Sequence, residues 1–193
     1  MPHSIFALEV CLRLGPHSTL PSELRRLVVS QPAASTYQAK WSLYRQACDI
    51  LLANLASVEK GCWDYFDDDA RAQRDYKMWT DGLLTEEGAR KAPSWQGGAD
   101  PYRSAAQGYM TFTMAFLLAK NTRADLEQRA RCNVHEALLW RRDVFAHLIQ
   151  GVPLLNFASV KSDVIYVIPG DERWSLTAED LVDPKFHYLR PLE

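Results

Sequence analysis

The stretch Tyr109-Met-Thr-Phe-Thr-Met-Ala-Phe-Leu-Leu-Ala119 is the longest uncharged apolar segment of the chain. It is about half as long as the roughly 20 residues that a membrane-spanning helix needs. On a helical projection it is apolar nearly all round, which favours a helix in the centre of a bundle. Asp100-Pro101 supplies an N-cap and a first-turn proline for that helix. We therefore predict a central helix that begins at Asp100 and includes Tyr109–Ala119.

Further helices are predicted on both sides of this segment. Apolar residues at steps of three and four predict a helix over residues 36–60, with Gly61 as its C-cap. The three acids of residues 67–69 suit the N-terminus of a second helix that runs to Gly82. A fourth helix is predicted from Thr122 to Gln150, and a short one over residues 22–29. The predicted buried stripe of the first long helix is Tyr37, Trp41, Tyr44, Cys48, Leu51, Leu55 and Val58.

Two β elements are predicted near the ends of the chain. Residues 5–14 alternate between apolar and other side chains, which is typical of a strand with one buried face. Residues 164–168 form a β-branched run before a turn, and residues 85–99 are predicted to be a loop. The predicted fold class is therefore mainly α, a four- to five-helix bundle with small β elements at the N- and C-termini. We predict a single domain over residues 1–193, with the bundle at about 33–151 and an appendage at about 160–193.

Composition limits the possible function classes. Hydrophobic residues make up 47% and charged residues 24%, which is typical of a folded globular protein. A formal net charge of −2 excludes a uniformly basic surface for nucleic acid. No signal peptide or membrane span is expected. The four cysteines have no metal or redox spacing, which favours a reduced, cytoplasmic compartment and no cofactor.

The predicted fourth helix carries the clearest chemical motif. Arg142 and His147 lie five residues apart, and Asp143 follows the arginine directly. Glu136, Trp140, Asp143 and His147 are spaced as one helical stripe opposite the apolar face. A tryptophan among ionisable groups is unusual for a solvated face and common at interfaces. The stripe and the neighbouring Arg141 are therefore the candidate substrate-binding residues.

The Arg142-Asp143…His147 pattern resembles the motif of the HEPN superfamily, although an Arg-Asn pairing is commoner there. The resemblance covers the bundle loosely and this motif specifically; the N-terminal strand and residues 163–193 lie outside it. It implies a helical homodimer that binds or cleaves RNA without a metal, and, because some such ribonucleases are toxins, a neutralising protein partner. Arg142, Asp143 and His147 would be its catalytic residues.

These residue types suit metal-free RNA cleavage. Histidine can accept and return protons near neutral pH, and arginine offers a permanent cationic fork to phosphate. Asp143 could orient His147 or restrain Arg142. Residues five apart lie about 140° apart around one helix, so two antiparallel copies would be needed around one phosphate.

Three alternatives remain open at this point. Arg142 and His147 could simply cover a solvated helix face, or the chain could be a non-enzymatic interaction or immunity protein with a tryptophan-rich binding surface. The basic residues of 120–142 could meet phosphates or be neutralised by the acidic segment 59–87. Cys132, His135 and Glu136 could be half of a metal site, but no second half at matching spacing is present in the sequence, so none is predicted.

Overall fold

A five-stranded antiparallel sheet forms the centre of the computed structural model, which describes residues 2–89, 108–171 and 174–193. The spatial order of the strands is β4-β3-β1-β2-β5. The prediction of a mainly α bundle is therefore wrong, because the molecule has an α/β fold. The strands are β1 (His3–Leu14), β2 (Val58–Phe66), β3 (Gly108–Ala119), β4 (Val160–Ile168) and β5 (Arg190–Pro191).

Helices cover both faces of the sheet. Those on the first face also pack against one another, whereas α3 lies on the second face. No described helix is long and apolar enough to cross a membrane. The helices are α1 (Leu20–Ser30), α2 (Tyr37–Ala53), α3 (Asp69–Ala89), α4 (Arg123–Arg131) and α5 (Arg142–Gly151).

The segment Tyr109–Ala119, predicted to be the central helix, is instead part of strand β3. Met110, Phe112 and Phe116 point to the first face, while Thr111 and Thr113 point to the second. A strand that is buried on both faces has a nearly continuous apolar sequence, which cannot be distinguished from a buried helix by periodicity alone. The predicted start of that helix, residues 100–107, lies outside the described residues, as does most of the loop predicted over 85–99.

The first long helix is shorter than predicted. α2 ends at Ala53, and Val58 begins strand β2. Gly61, the predicted C-cap, lies inside β2, where a Cβ would stand 2.4 Å from the ring of Phe145. A glycine is needed here because α5 packs directly on this strand, so its role is close approach and not helix termination.

The first face holds the main core. Even-numbered residues of β1 and β3 pack against α1, α2 and α5, and the largest buried rings of this layer stack around Phe116. Tyr44 lies 4.8 Å from Phe116 and 5.3 Å from Phe157 between ring centroids. Ring pairs at these distances add to the stabilisation from burial alone.

The second face is covered by two separate elements. Helix α3 packs its own Ala72 against the small residues Ala7 and Ala115 of the sheet. Residues 176–193, here named the C-terminal strap, cover the rest through Leu181, Phe186 and other apolar side chains. Within the strap, Thr177 and Asp180 bond to each other's backbone amides just before the 3₁₀ turn Asp180–Val182. The strap ends beside β2 as β5.

Candidate functional site

The predicted fourth helix is two helices in the structure. α4 ends at Arg131 and α5 begins at Arg142, with a 3₁₀ turn at Glu136–Leu138 between them. Long-range bonds replace helical ones in this gap, because the Leu139 carbonyl accepts from the Trp63 indole and the Trp140 carbonyl accepts from the Glu193 amide. The predicted stripe of Glu136, Trp140, Asp143 and His147 is therefore not a single helical face.

Arg142 is held by backbone oxygens. Its guanidinium Nη1 donates to the carbonyl of Leu55 at 2.8 Å and to the carbonyl of Val58. Its backbone amide donates to the Glu193 carbonyl at 2.9 Å. The Leu55 and Val58 carbonyls belong to the turn that leads into β2, so the side chain closes that turn and has fewer donors left for a phosphate.

Arg141 and Asp143 form a bidentate ion pair at the start of α5. The guanidinium donates to both carboxylate oxygens, at 3.0 and 2.8 Å. This hydrogen bonding from Arg141 lowers the pKa of Asp143. Asp143 also accepts from the amide of Val144, which suits an acid in the first turn of a helix. Its partners are therefore the arginine and its own helix N-terminus.

His147 stands apart from these groups. It is exposed, and it has no hydrogen bond or ion pair with any other residue in the described ranges. A shallow depression of about 550 Å³ is lined by Arg141, Arg142 and Asp143 with Leu55, Ala146 and Glu193, but not by His147. Glu136 is exposed, and Trp140 packs against the main core. Within one chain, the structure brings together three of the six predicted site residues.

Five of the six basic residues of 120–142 have polar partners among the described residues. Arg129 lies 3.1 Å from Asp67, and the Lys120 ammonium donates to the Asp67 carbonyl. Arg123 pairs with Glu127 at 2.7 Å. Asp67 of the acidic segment thus pairs with two of these basic residues, as expected if the acidic segment neutralises the basic one.

Cys132, His135 and Glu136, the residues considered as half of a metal site, lie on different elements. Cys132 follows α4, while His135 caps the following 3₁₀ turn by accepting from the amide of Ala137. Burial raises the pKa of the Cys132 thiol to about 12, which disfavours the thiolate that a metal needs. No group of three or more potential His, Cys, Asp or Glu ligands is present in the part of the chain that the structure describes.

An apolar stripe on the outer side of α2 was missed by the sequence reasoning. Tyr37 and Trp41 were predicted to be buried, but Tyr37 is 63% exposed. The Trp41 indole donates to the Pro153 carbonyl at 2.9 Å, which brings the 60% exposed Leu154 beside this helix. The Arg45 guanidinium lies 5.3 Å from the centre of the Trp41 ring. We name Tyr37, Trp41, Arg45 and Leu154 the docking stripe.

The sequence did contain a signal for this stripe. Tyr37, Trp41 and Arg45 recur every four residues, so they share a helical face at the edge of the buried one, where Trp41 packs partly against the main core and Tyr37 and Arg45 are exposed. No family model matches this chain, and no curated protein or solved structure shows significant similarity to it.

Proposed function

We propose that this chain is a non-enzymatic domain that binds a folded protein partner through the docking stripe. The observation that carries the proposal is that this surface combines exposed apolar side chains with an aromatic side chain held in one position. Tyr37 and Leu154 are more than half exposed, while the half-buried Trp41 is fixed by its hydrogen bond to the Pro153 carbonyl. A side chain that is already ordered loses less conformational entropy when a partner covers it.

The residue types of the stripe support the same function. Tryptophan, tyrosine and arginine dominate the residues whose truncation most weakens protein interfaces. Arg45 contacts the Trp41 ring and remains 56% exposed at its side chain. The stripe therefore offers two aromatic rings and one cation on α2, with one aliphatic side chain from the neighbouring 3₁₀ turn Val152–Leu154.

Charge defines the partner further. The carboxylate paired with Arg45 is that of Asp49, 3.8 Å away and itself 65% exposed. Exposed pairs of this kind contribute little free energy, so Arg45 is available to a carboxylate of the partner. We expect the partner to present an apolar pocket with an acidic residue at its rim. A reduced cytoplasmic compartment is part of the proposal, because the four cysteines are free thiols.

The ribonuclease hypothesis has less support than this one. Arg142 already donates to two carbonyls, and the exposed His147 has no partner group in the described ranges. RNA binding, homodimerisation and a neutralising partner stay predictions. In an immunity-type version of the present proposal, the chain would itself neutralise its partner.

The test is binding of a purified partner. The full chain is used to capture proteins from its source cells, and each candidate is then produced separately and titrated against the wild type. We expect Tyr37→Ala with Leu154→Ser to weaken the reconstituted complex at least about tenfold, which corresponds to roughly 1.4 kcal/mol. The matched control is Met78→Ala, because Met78 is 62% exposed but lies on α3, on the second face of the sheet. Equal affinities for the stripe variant and wild type would refute the proposal.

A further inference from the structure

The two edges of the sheet differ in length. β4 forms one edge with nine residues, whereas β5 forms the other with two, Arg190 and Pro191. In the part of the chain that the structure describes, no strand pairs with the outer side of β4. An edge strand presents a row of amide and carbonyl groups on which another chain can add a strand. β4 is therefore the edge that is long enough to accept one.

The sequence of β4 favours such an addition. Residues 164–168 are all β-branched or aromatic. Lys161 and Asp163 together give the strand no net charge, and no proline interrupts it. Short segments with high β-propensity, low net charge and no proline are those that pair readily with copies of themselves. The strand therefore needs protection from outside its own sequence.

One side chain from outside the sheet covers the middle of this edge. Gln31 begins the 3₁₀ turn Gln31–Ala33, directly after α1. Its amide nitrogen donates to the carbonyl of Asp163, and its amide oxygen accepts from the backbone amide of Ile165, both at 3.3 Å. One bond donated and one accepted at alternate residues is the pattern that a neighbouring strand makes. Gln31 thus stands where that strand would bind.

The turn that carries Gln31 is anchored on both sides. Lys40 of α2, which follows the turn, donates to the carboxylate of Asp163. Leu24 of α1, which precedes the turn, belongs to the same buried cluster as Ile165. Because both flanking helices are tied to β4, the Gln31 amide is held at the edge by the fold and not by a free loop.

We propose that Gln31 is an edge guard that prevents β4 from pairing with β4 of a second copy of this chain. Identical strands can pair antiparallel about a twofold axis, because each then offers the other the same groups. The longest such pairing places the axis at Val164, the middle residue of β4. Asp163 and Ile165 flank that position, and Gln31 occupies the bonding groups of both. Two copies can pair there only when the Gln31 amide leaves the strand.

The test is sedimentation velocity of the full chain over a series of concentrations. Gln31→Ala removes both bonds and should associate with a dissociation constant below roughly 100 μM, at least about tenfold tighter than the wild type. The matched control is Gln46→Ala, because Gln46 is exposed on α2 and its amide donates to Ser42 of the same helix. This control should sediment as the wild type does at every concentration.

A second substitution distinguishes pairing through β4 from association that follows unfolding. Lys161 is exposed and lies where the pairing of β4 with β3 is irregular, so proline is tolerated there. A proline on an edge strand hinders pairing with another chain. Gln31→Ala with Lys161→Pro should therefore sediment as the wild type does. Association caused by unfolding would instead persist in the double variant.

Hydrogen exchange at the Ile165 amide reports on the edge itself. This amide should exchange faster in dilute Gln31→Ala than in the wild type, because it loses its acceptor, and more slowly again as the variant pairs at higher concentration. Three results would overturn the guard. They are a Gln31→Ala variant that sediments as the wild type throughout, association that persists in the double variant, and a wild type whose Ile165 amide becomes protected with concentration.

Discussion

The two faces of the sheet each bury a carboxyl group but treat it differently. On the first face, Asp163 of β4 accepts from the Lys40 ammonium at one oxygen and from the Tyr44 hydroxyl at the other, at 3.0 Å. On the second face, the Tyr188 hydroxyl donates to Glu9 Oε2 at 3.0 Å, and Glu9 has no ion pair with any other residue in the described ranges. Burial of a charge is tolerated when it is paired and bonded. The first face thus gives its buried acid a cation and a hydroxyl as partners, whereas on the second face burial raises the pKa of the acid.

The Asp163 network also secures the edge of the sheet. The Gln31 amide donates to the Asp163 carbonyl and accepts from the Ile165 amide, both at 3.3 Å. These are the outward-facing backbone groups of an edge strand, which would otherwise be available to another chain. The first face is thus tied together by polar bonds from α2, β4 and the turn after α1. The strap packs on the second face through apolar side chains and also bonds to the sheet, through the backbone of Leu176 and Leu192 and the hydroxyl of Tyr188.

The largest effect is expected from breaking the Asp163 network. Lys40→Met removes the cation and leaves the Asp163 carboxylate, whose side chain is 2% exposed, with one side-chain partner fewer. Loss of a hydrogen bond to a buried charged group costs about 2–3 kcal/mol, measured as the free energy of unfolding in urea. Lys77→Met is the control, because the Lys77–Asp81 pair is exposed and should change stability by less than about 0.5 kcal/mol. Equal effects at the two sites would contradict the comparison.

A smaller effect is expected from a change in pH on the free energy of unfolding. Its sign follows from the raised pKa values of the acids on the second face. Glu9 has a pKa raised by burial above its ordinary 4.5, and burial likewise raises the pKa of Asp64 to about 6. A raised acid binds its proton more tightly in the folded state, so its stabilising contribution is complete below the unfolded pKa and is lost as pH rises through the folded pKa. The urea midpoint should therefore fall as pH rises from about 4 through 6 and beyond.

Two variants separate the contributions of the acids. Asp64→Asn should remove the part of the decline in the urea midpoint that lies between about pH 4 and 6. Glu9→Gln should remove the part of that decline that is due to the buried Glu9 carboxyl. Hydrogen exchange of the strap provides an independent readout, since Tyr188 bonds to Glu9. A wild-type midpoint that rises steadily over this pH range would show that other groups dominate.

Local signals were enough to predict several elements. Alternation over residues 5–14 correctly predicted a strand, although both faces of β1 are buried and not one. The β-branched run predicted β4, and Thr122 correctly predicted the start of α4. Tyr109–Ala119 was wrongly predicted to be a helix because both of its faces are buried. The alternation of large and small side chains at Phe112, Thr113 and Met114 was nevertheless a strand signal. Strand pairing is non-local, and its register cannot be read from one segment.

The candidate site was less predictable for the same reason. A helical motif over residues 136–147 assumed continuous α-helix, and residues 132–141 contain good helix formers. Bonds from Trp63 and Glu193, both remote in sequence, hold the backbone carbonyls there in another conformation. Tertiary bonds therefore override local propensity and place Glu136 and Trp140 outside α5. Within α5, the five-residue spacing turns His147 away from the depression that Arg142 lines.

The smallest effect is expected at His147. Because it is exposed and without a partner in the described ranges, His147→Ala should alter the free energy of unfolding by less than about 0.5 kcal/mol. The purified wild type should not cleave RNA in EDTA beyond the level of this variant. Cleavage by the wild type that disappears in His147→Ala would revive the ribonuclease hypothesis and displace the present proposal.

The most direct test of protein binding is a hydrogen–deuterium exchange footprint of the reconstituted complex against the free chain. A partner seated on the docking stripe should slow amide exchange in residues 36–46 and 152–156 and leave residues 69–80 of α3 unchanged. Protection confined to residues 141–147, or to the second face, would contradict the account.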